Sequence, residues 1–94
     1  MSDQFASLRD RINWFQEPGA LRTPVIDIVN AIQHLPPHWR VMSVAYTMYI
    51  ICKVIGIDAN DIYVKIRRME NHVNGPFANQ IEAMTNYVKG EFNE

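Results

Sequence analysis

Apolar residues run almost without interruption from Val41 to Ile57, and this stretch is the centre of the predicted fold. At helical spacing it is apolar on two sides, and only Ser43 and Thr47 leave a narrow polar edge. A helix of this kind must be covered on both sides, so the other segments are expected to pack around it. The residues predicted to be least exposed are Val44, Met48, Ile51, Cys52 and Ile55.

Four other segments place apolar residues on one helical face only, and Pro or Gly residues separate them. Pro36-Pro37 ends one helix and starts the next, while Gly56 ends the central helix and Asp58 caps its successor. The predicted helices cover residues 3–16, 24–35, 37–55, 59–73 and 77–92. No strand pattern competes, so we predict an all-α fold. It is a single domain, residues 1–94, built as a compact five-helix orthogonal bundle around a buried central helix.

The charge balance gives no field that would attract polyanions to the chain as a whole, because 9 basic residues oppose 10 acidic ones. The lone Cys52 cannot form an internal disulfide, and the N-terminus has charges where a signal peptide needs an apolar core. We therefore predict a cytoplasmic protein. The central apolar stretch is short for a membrane span and contains Lys53, so no membrane association is expected.

Residues with catalytic or metal-binding potential have structural explanations in this sequence. Cys52 lies inside the apolar helix, where a small core residue is expected. His34 and His38 are four residues apart, but two prolines break the helical face between them. The acids of residues 58–61 fit helix capping better than a calcium loop. We predict no enzyme activity, cofactor, metal or small-molecule substrate.

The turn between the third and fourth helices resembles a helix-turn-helix motif. A small residue, Cys52, lies four positions before the turn glycine, Gly56, and apolar Ile57 and Ile62 follow it at the expected spacing. Leu35-Pro36-Pro37, Gly56-Ile57 and Lys65-Ile66-Arg67-Arg68 are also loosely similar to the DNA-binding C-terminal region of sigma factors. The interval between the prolines and the glycine is shorter than in that family, and membership is not assigned.

The motif implies a DNA-binding transcriptional regulator that uses the helix around residues 59–73, with contacts from Asn60, Tyr63, Lys65, Arg67 and Arg68. Asp58 and Asp61 lie at the end of this helix that would approach the bases, and acids repel phosphates. From Pro36 to Pro76 the net charge is only +2. DNA binding is therefore kept as the alternative function, not the main one.

The main function predicted from the sequence is that of a small regulatory or adaptor protein acting by protein–protein interaction. Several aromatic residues fall outside the expected core stripes, and tyrosine, tryptophan and arginine dominate protein interfaces. A second copy of the chain or another protein could complete the burial of the central helix, or helices one, two and five could cover it by themselves. The residues predicted to form the interface are Trp14, Trp39, Arg40, Tyr46 and Tyr49.

Overall fold

The computed structural model describes residues 3–71 and 78–92, and within these ranges it contains α-helices, a short 3₁₀ turn and no strand. The predicted all-α class is therefore confirmed. The predicted end of the fourth helix at residue 73 and the start of the fifth at residue 77 lie outside the described residues. The elements are α1 (Ala6–Trp14), the 3₁₀ turn (Pro18–Leu21), α2 (Arg22–Ile32), α3 (Pro37–Ile55), α4 (Ala59–Asn71) and α5 (Ala78–Glu91).

Local sequence chemistry explains both ends of α3. Pro36 is extended and Pro37 occupies the first turn, where its missing N–H removes no helical hydrogen bond. Gly56 has a φ of 78°, and the N–H groups of Gly56 and Ile57 both donate to the Cys52 carbonyl at 2.9 and 3.0 Å. The Asp58 carboxylate then accepts the Asn60 N–H at 2.8 Å and caps α4. The left-handed glycine at the end of α3 and the Asp58 cap of α4 are thus both present.

The start of α2 differs from the prediction by two residues. The helix begins at Arg22, directly after the 3₁₀ turn, so Thr23 and Pro24 lie within its first turn. Pro24 is tolerated there because the first N–H groups of a helix have no helical partner.

The best-packed part of the described structure is formed by α2, α5 and the 3₁₀ turn. The contact of α2 with α5 is the most extensive between any two elements, and the 3₁₀ turn lies against both of them and against α4. Tyr87 on α5 donates a hydrogen bond to the side-chain oxygen of Asn30 on α2. Val29 on α2 and Gly19 in the turn are buried here. The core therefore lies beside α3 and does not surround it.

The prediction of a buried central helix is wrong for most of α3. Cys52 and Ile55 are buried as expected, but Val44 is 43% exposed, Ile51 is 47% exposed and Met48 is only half-buried. The apolar stripes of α2 and α5 face each other, which leaves α4, across the Gly56 turn, as the main neighbour of α3. Because α3 is apolar on all sides, its sequence does not specify which side should face the rest of the chain.

Two arginines hold the ends of α3. Near its start, Arg40 donates to the carbonyls of Leu35 and Gln33, both at 2.7 Å, and to that of Glu91 at the end of α5. At its end, Arg9 on α1 donates to the Ile55 carbonyl at 2.9 Å. Cations at these positions satisfy carbonyls that helix ends leave without partners. The middle of α3 lies between two fixed ends.

Arg9 also forms an ion pair with Asp3, which lies ahead of α1. The hydrogen bond from Arg9 lowers the pKa of Asp3, and the same bond raises the pKa of Arg9. The Asp3 carboxylate accepts the Phe5 N–H at 2.9 Å as well, so one side chain connects the start of α1 with the guanidinium that holds the end of α3.

Among the described residues, no single helix is both long enough and apolar enough to cross a membrane. In the part of the chain that the structure describes, α3 and α4 together have the length and apolar composition of a span, but they are bent by 111° with respect to each other.

Candidate interaction surface

Large apolar side chains are exposed along the whole length of α3. Of the 15 large hydrophobic residues that are exposed in the described structure, nine belong to this one helix. Surface hydrophobic residues are normal when scattered singly, whereas a contiguous set on one element is typical of an interaction site. The nine residues are Trp39, Val41, Met42, Val44, Tyr46, Tyr49, Ile50, Ile51 and Val54.

Five exposed side chains form a line along one side of α3 that we name the α3 seam: Trp39, Met42, Tyr46, Tyr49 and Lys53. Successive members are three, four, three and four residues apart, which keeps them on one side of the helix. This alternating spacing is the one by which two helices interdigitate in a coiled coil. The α3 seam is therefore suited to binding another helix along its length.

The α3 seam presents a pair of packed tyrosine rings and, at one end, an open depression. Tyr46 and Tyr49 have ring centroids 5.9 Å apart at an interplanar angle of 53°, a favourable tilted geometry. Near the start of the helix, His38, Trp39 and Met42 line an open depression of about 260 Å³. The His38 and Trp39 rings meet edge to face at 6.5 Å. Such rigid, amphipathic rings around a depression are typical of interface anchors.

Three of the five interface residues predicted from the sequence, Trp39, Tyr46 and Tyr49, lie together on the α3 seam. Trp14 is 80% exposed but is the last residue of α1, on a different element. The guanidinium of Arg40 makes the hydrogen bonds described above and lies 5.4 Å from the Phe92 ring centroid. Arg40 therefore has a structural role in the chain itself, and its part in an interface stays a prediction.

Met42 and Lys53 complete the α3 seam and are not among the interface residues predicted from the sequence. The signal for both is present in the sequence as the alternation of three- and four-residue steps from Trp39 onward. It was hidden because apolar residues on the other sides of the helix give an equally good pattern.

The predicted nucleic-acid contacts on α4 divide into three groups. Asn60, Tyr63 and Arg67 are exposed and fall on one face of the helix, at spacings of three and four. Arg68 is exposed about a third of a turn away. Lys65 is half-buried, and its ammonium donates to the Asn13 carbonyl near the end of α1 at 2.9 Å. The structure thus brings three of the five residues together.

Within residues 3–71 and 78–92, no three His, Cys, Asp or Glu side chains are grouped so that they could hold a metal ion. His34 and His38 are both exposed, on either side of the Pro36-Pro37 break. Cys52 is 3% exposed, a setting in which a thiol is a core residue and not a nucleophile.

Comparison with known protein families, with curated proteins and with solved structures finds no match to this chain. Its function is therefore inferred from the surfaces of α3 and α4.

Proposed function

We propose that this protein is a non-enzymatic regulatory or adaptor protein that acts by protein–protein interaction through the α3 seam. The observation that carries the proposal is the exposure of large apolar side chains along one long helix whose two ends are held in place. Recognition of a helix by a second helix uses anchors at these spacings.

The chemistry of the surface supports a protein partner over other ligands. The α3 helix carries two cations, Arg40 and Lys53, and no acid, and Arg40 is bonded within the chain. The rest of the exposed side is aromatic or aliphatic, with the depression beside Trp39 at one end. Fully desolvated aromatic and methionine side chains provide most of the binding energy at protein interfaces.

The proposal is tested by capture of a partner with a charge placed in the α3 seam. Tagged wild type, Tyr46→Glu and Tyr63→Glu are incubated with lysate from the native host that also contains a differently tagged second copy of the protein. Tyr63 on α4 is the matched control because it is also an exposed tyrosine outside the α3 seam. We expect wild type and Tyr63→Glu to retain the same protein in stoichiometric amount, and Tyr46→Glu to lose it, because a carboxylate buried in an apolar interface is strongly unfavourable.

Retention of the same partner by Tyr46→Glu would show that the binding surface lies outside the α3 seam. A wild-type protein that retains neither a host protein nor the second copy would contradict the proposed function.

A second candidate function, DNA binding through α4, is favoured by the geometry of the turn. The α3 and α4 axes are bent by 111° about three residues, Gly56–Asp58, and the glycine is left-handed. Helix-turn-helix motifs join two helices at about 90–120° by such a turn. In this proposal Asn60 and Tyr63 on the exposed face of α4 enter the major groove, and Arg67 and Arg68 contact phosphates.

If α4 binds DNA, the affinity should fall steeply with salt concentration, and Arg67 and Arg68 should account for part of that dependence. Replacing both by alanine should reduce the slope of log affinity against log salt by about two, since each phosphate contact contributes about 0.9. A mobility-shift titration at several salt concentrations measures the slope. Arg22→Ala, which removes an exposed arginine from α2, should leave it unchanged. If wild type does not shift the mobility of duplex DNA even at low salt, DNA binding through α4 is excluded.

A further inference from the structure

We infer that the α3 seam is covered by a second copy of this chain, so that two α3 helices pair antiparallel about a two-fold axis between Tyr46 and Tyr49. The inference rests on the proposed function and names the partner. It is supported by the large accessible area of the single chain, by the order of the side chains along the α3 seam and by the position of Lys53.

The single chain exposes more surface than a folded monomer of its mass. Its accessible area is 7392 Å², whereas a monomer of 10.9 kDa is expected to expose about 5,600 Å². Its radius of gyration is 14.8 Å, against about 12 Å for a compact chain of 94 residues. Within the described residues, buried hydrophobic side chains are limited to Val29, Cys52 and Ile55. The chain lacks part of the core that it needs.

The missing burial is of the size that one dimer interface provides. The excess of about 1,800 Å² lies within the roughly 1,000–2,500 Å² that each protomer of an obligate dimer buries. Obligate interfaces resemble a domain core cut in half, and the exposed side of α3 has that composition. An intermittent partner would leave this surface in water between encounters, whereas a second copy is present whenever the chain is.

The α3 seam is complementary to itself in the antiparallel direction. Pairing Tyr46 with Tyr49 of the partner, and Met42 with Lys53 of the partner, aligns every step of the alternating spacing. It is an isologous arrangement, in which each contact occurs twice. In the same alignment Trp39, the largest side chain, lies opposite Gly56 of the partner, which has no side chain of its own. Lys53 can lay its aliphatic part along Met42 and keep its ammonium in water.

Lys53 also favours antiparallel over parallel pairing of the two α3 helices. In a parallel pair the two Lys53 side chains would lie in the same layer, with helix axes about 8–10 Å apart and no acid on α3 to compensate. In the antiparallel pair the two Lys53 positions are about 16 Å apart along the axes. That separation exceeds the screening length of about 8 Å at physiological salt, so the repulsion becomes small.

Sedimentation equilibrium tests whether two chains associate through the α3 seam. Wild type and Tyr63→Glu should both have the mass of two chains at micromolar concentration. Tyr46→Glu should weaken association by at least about 100-fold, because symmetry places two carboxylates in one interface. Circular dichroism shows whether each variant keeps its helices; if Tyr46→Glu does not, Tyr46→Ser provides the same test without a charge. A monomeric wild type, or a seam variant that stays dimeric, would overturn the inference.

Disulfide trapping tests the direction. In a Cys52→Ala background, Met42→Cys and Lys53→Cys proteins are mixed, unfolded together, refolded and oxidised. The antiparallel pair predicts a mixed 42–53 disulfide as the main product and little linkage of Lys53→Cys with itself. Efficient self-linkage of Lys53→Cys with no mixed product would show a parallel pair and contradict the inference.

The outcomes separate this inference from the proposed function. If wild type is a monomer that captures another host protein through Tyr46, the second copy is excluded as the partner and the proposed function stands. If wild type is a monomer that captures nothing, both are wrong. A dimer that Tyr46→Glu dissociates supports both.

Discussion

Replacing Arg40 by alanine is expected to lower the free energy of unfolding by about 2–3 kcal/mol, one of the largest effects of any single substitution in the chain. Its guanidinium donates to three carbonyls, two near the end of α2 and one at the end of α5, and lies over the Phe92 ring. Hydrogen bonds from a charged donor contribute about 1.5–3 kcal/mol each when fully buried. These bonds are partly exposed, so their sum is well below that limit.

Chemical denaturation at one fixed protein concentration measures the Arg40 effect. Arg67→Ala is the matched control, since it removes an exposed arginine from α4 and should change the free energy of unfolding by less than about 0.5 kcal/mol. Arg40→Lys keeps the charge but cannot reach all three carbonyls, so it should be intermediate. Equal stabilities for the two alanine variants would show that Arg40 does not hold the helix ends together.

Alanine substitutions at Gly56 and Gly90 are expected to change stability in opposite directions. Gly56 has a φ of 78°, where a side chain adds about 1–2 kcal/mol of strain. A Cβ at this position would lie 3.5 Å from the Arg9 guanidinium, an ordinary contact, so the loss comes from the backbone and not from a clash. Gly90 lies within α5 with open space around it, so Gly90→Ala should raise the free energy of unfolding by about 0.5 kcal/mol.

Thermal or chemical unfolding of the two glycine variants, read against wild type, provides the measurement. Gly56→Asn is the informative control because asparagine tolerates the left-handed conformation, and it should lose less stability than Gly56→Ala. Changes of the same sign at Gly56 and Gly90 would mean that the turn does not require a left-handed residue.

The ends of α3 could be predicted from the sequence because they depend on a few adjacent residues. Pro37 and Gly56 act through their own backbone preferences, and Asp58 caps α4 by accepting the Asn60 N–H two residues away. These effects do not depend on the rest of the fold. The face formed by Asn60, Tyr63 and Arg67 could be predicted for the same reason, since helical spacing alone brings those residues together.

The environment of α3 could not be predicted because it depends on contacts between distant segments. The partner of α2 is α5, and the carbonyl that Arg40 reaches at Glu91 is 51 residues away along the chain. A helix that is apolar on every side gives no preference for one neighbour. The apolar pattern of α3 predicts that the helix needs to be covered. That the rest of the chain leaves much of it exposed is seen only in the structure.

The fixing of α3 at both ends has a consequence for the thermodynamics of association. A flexible segment that orders on binding loses conformational entropy, which cancels part of the gain from burial. With Arg40 and Arg9 holding its two ends, α3 is already a helix before it meets a partner. The entropy lost on association is then mainly that of side chains, and tyrosine and tryptophan, with two rotatable bonds each, lose little. Affinity therefore depends on how well the rings of the α3 seam fit, and not on the folding of the helix.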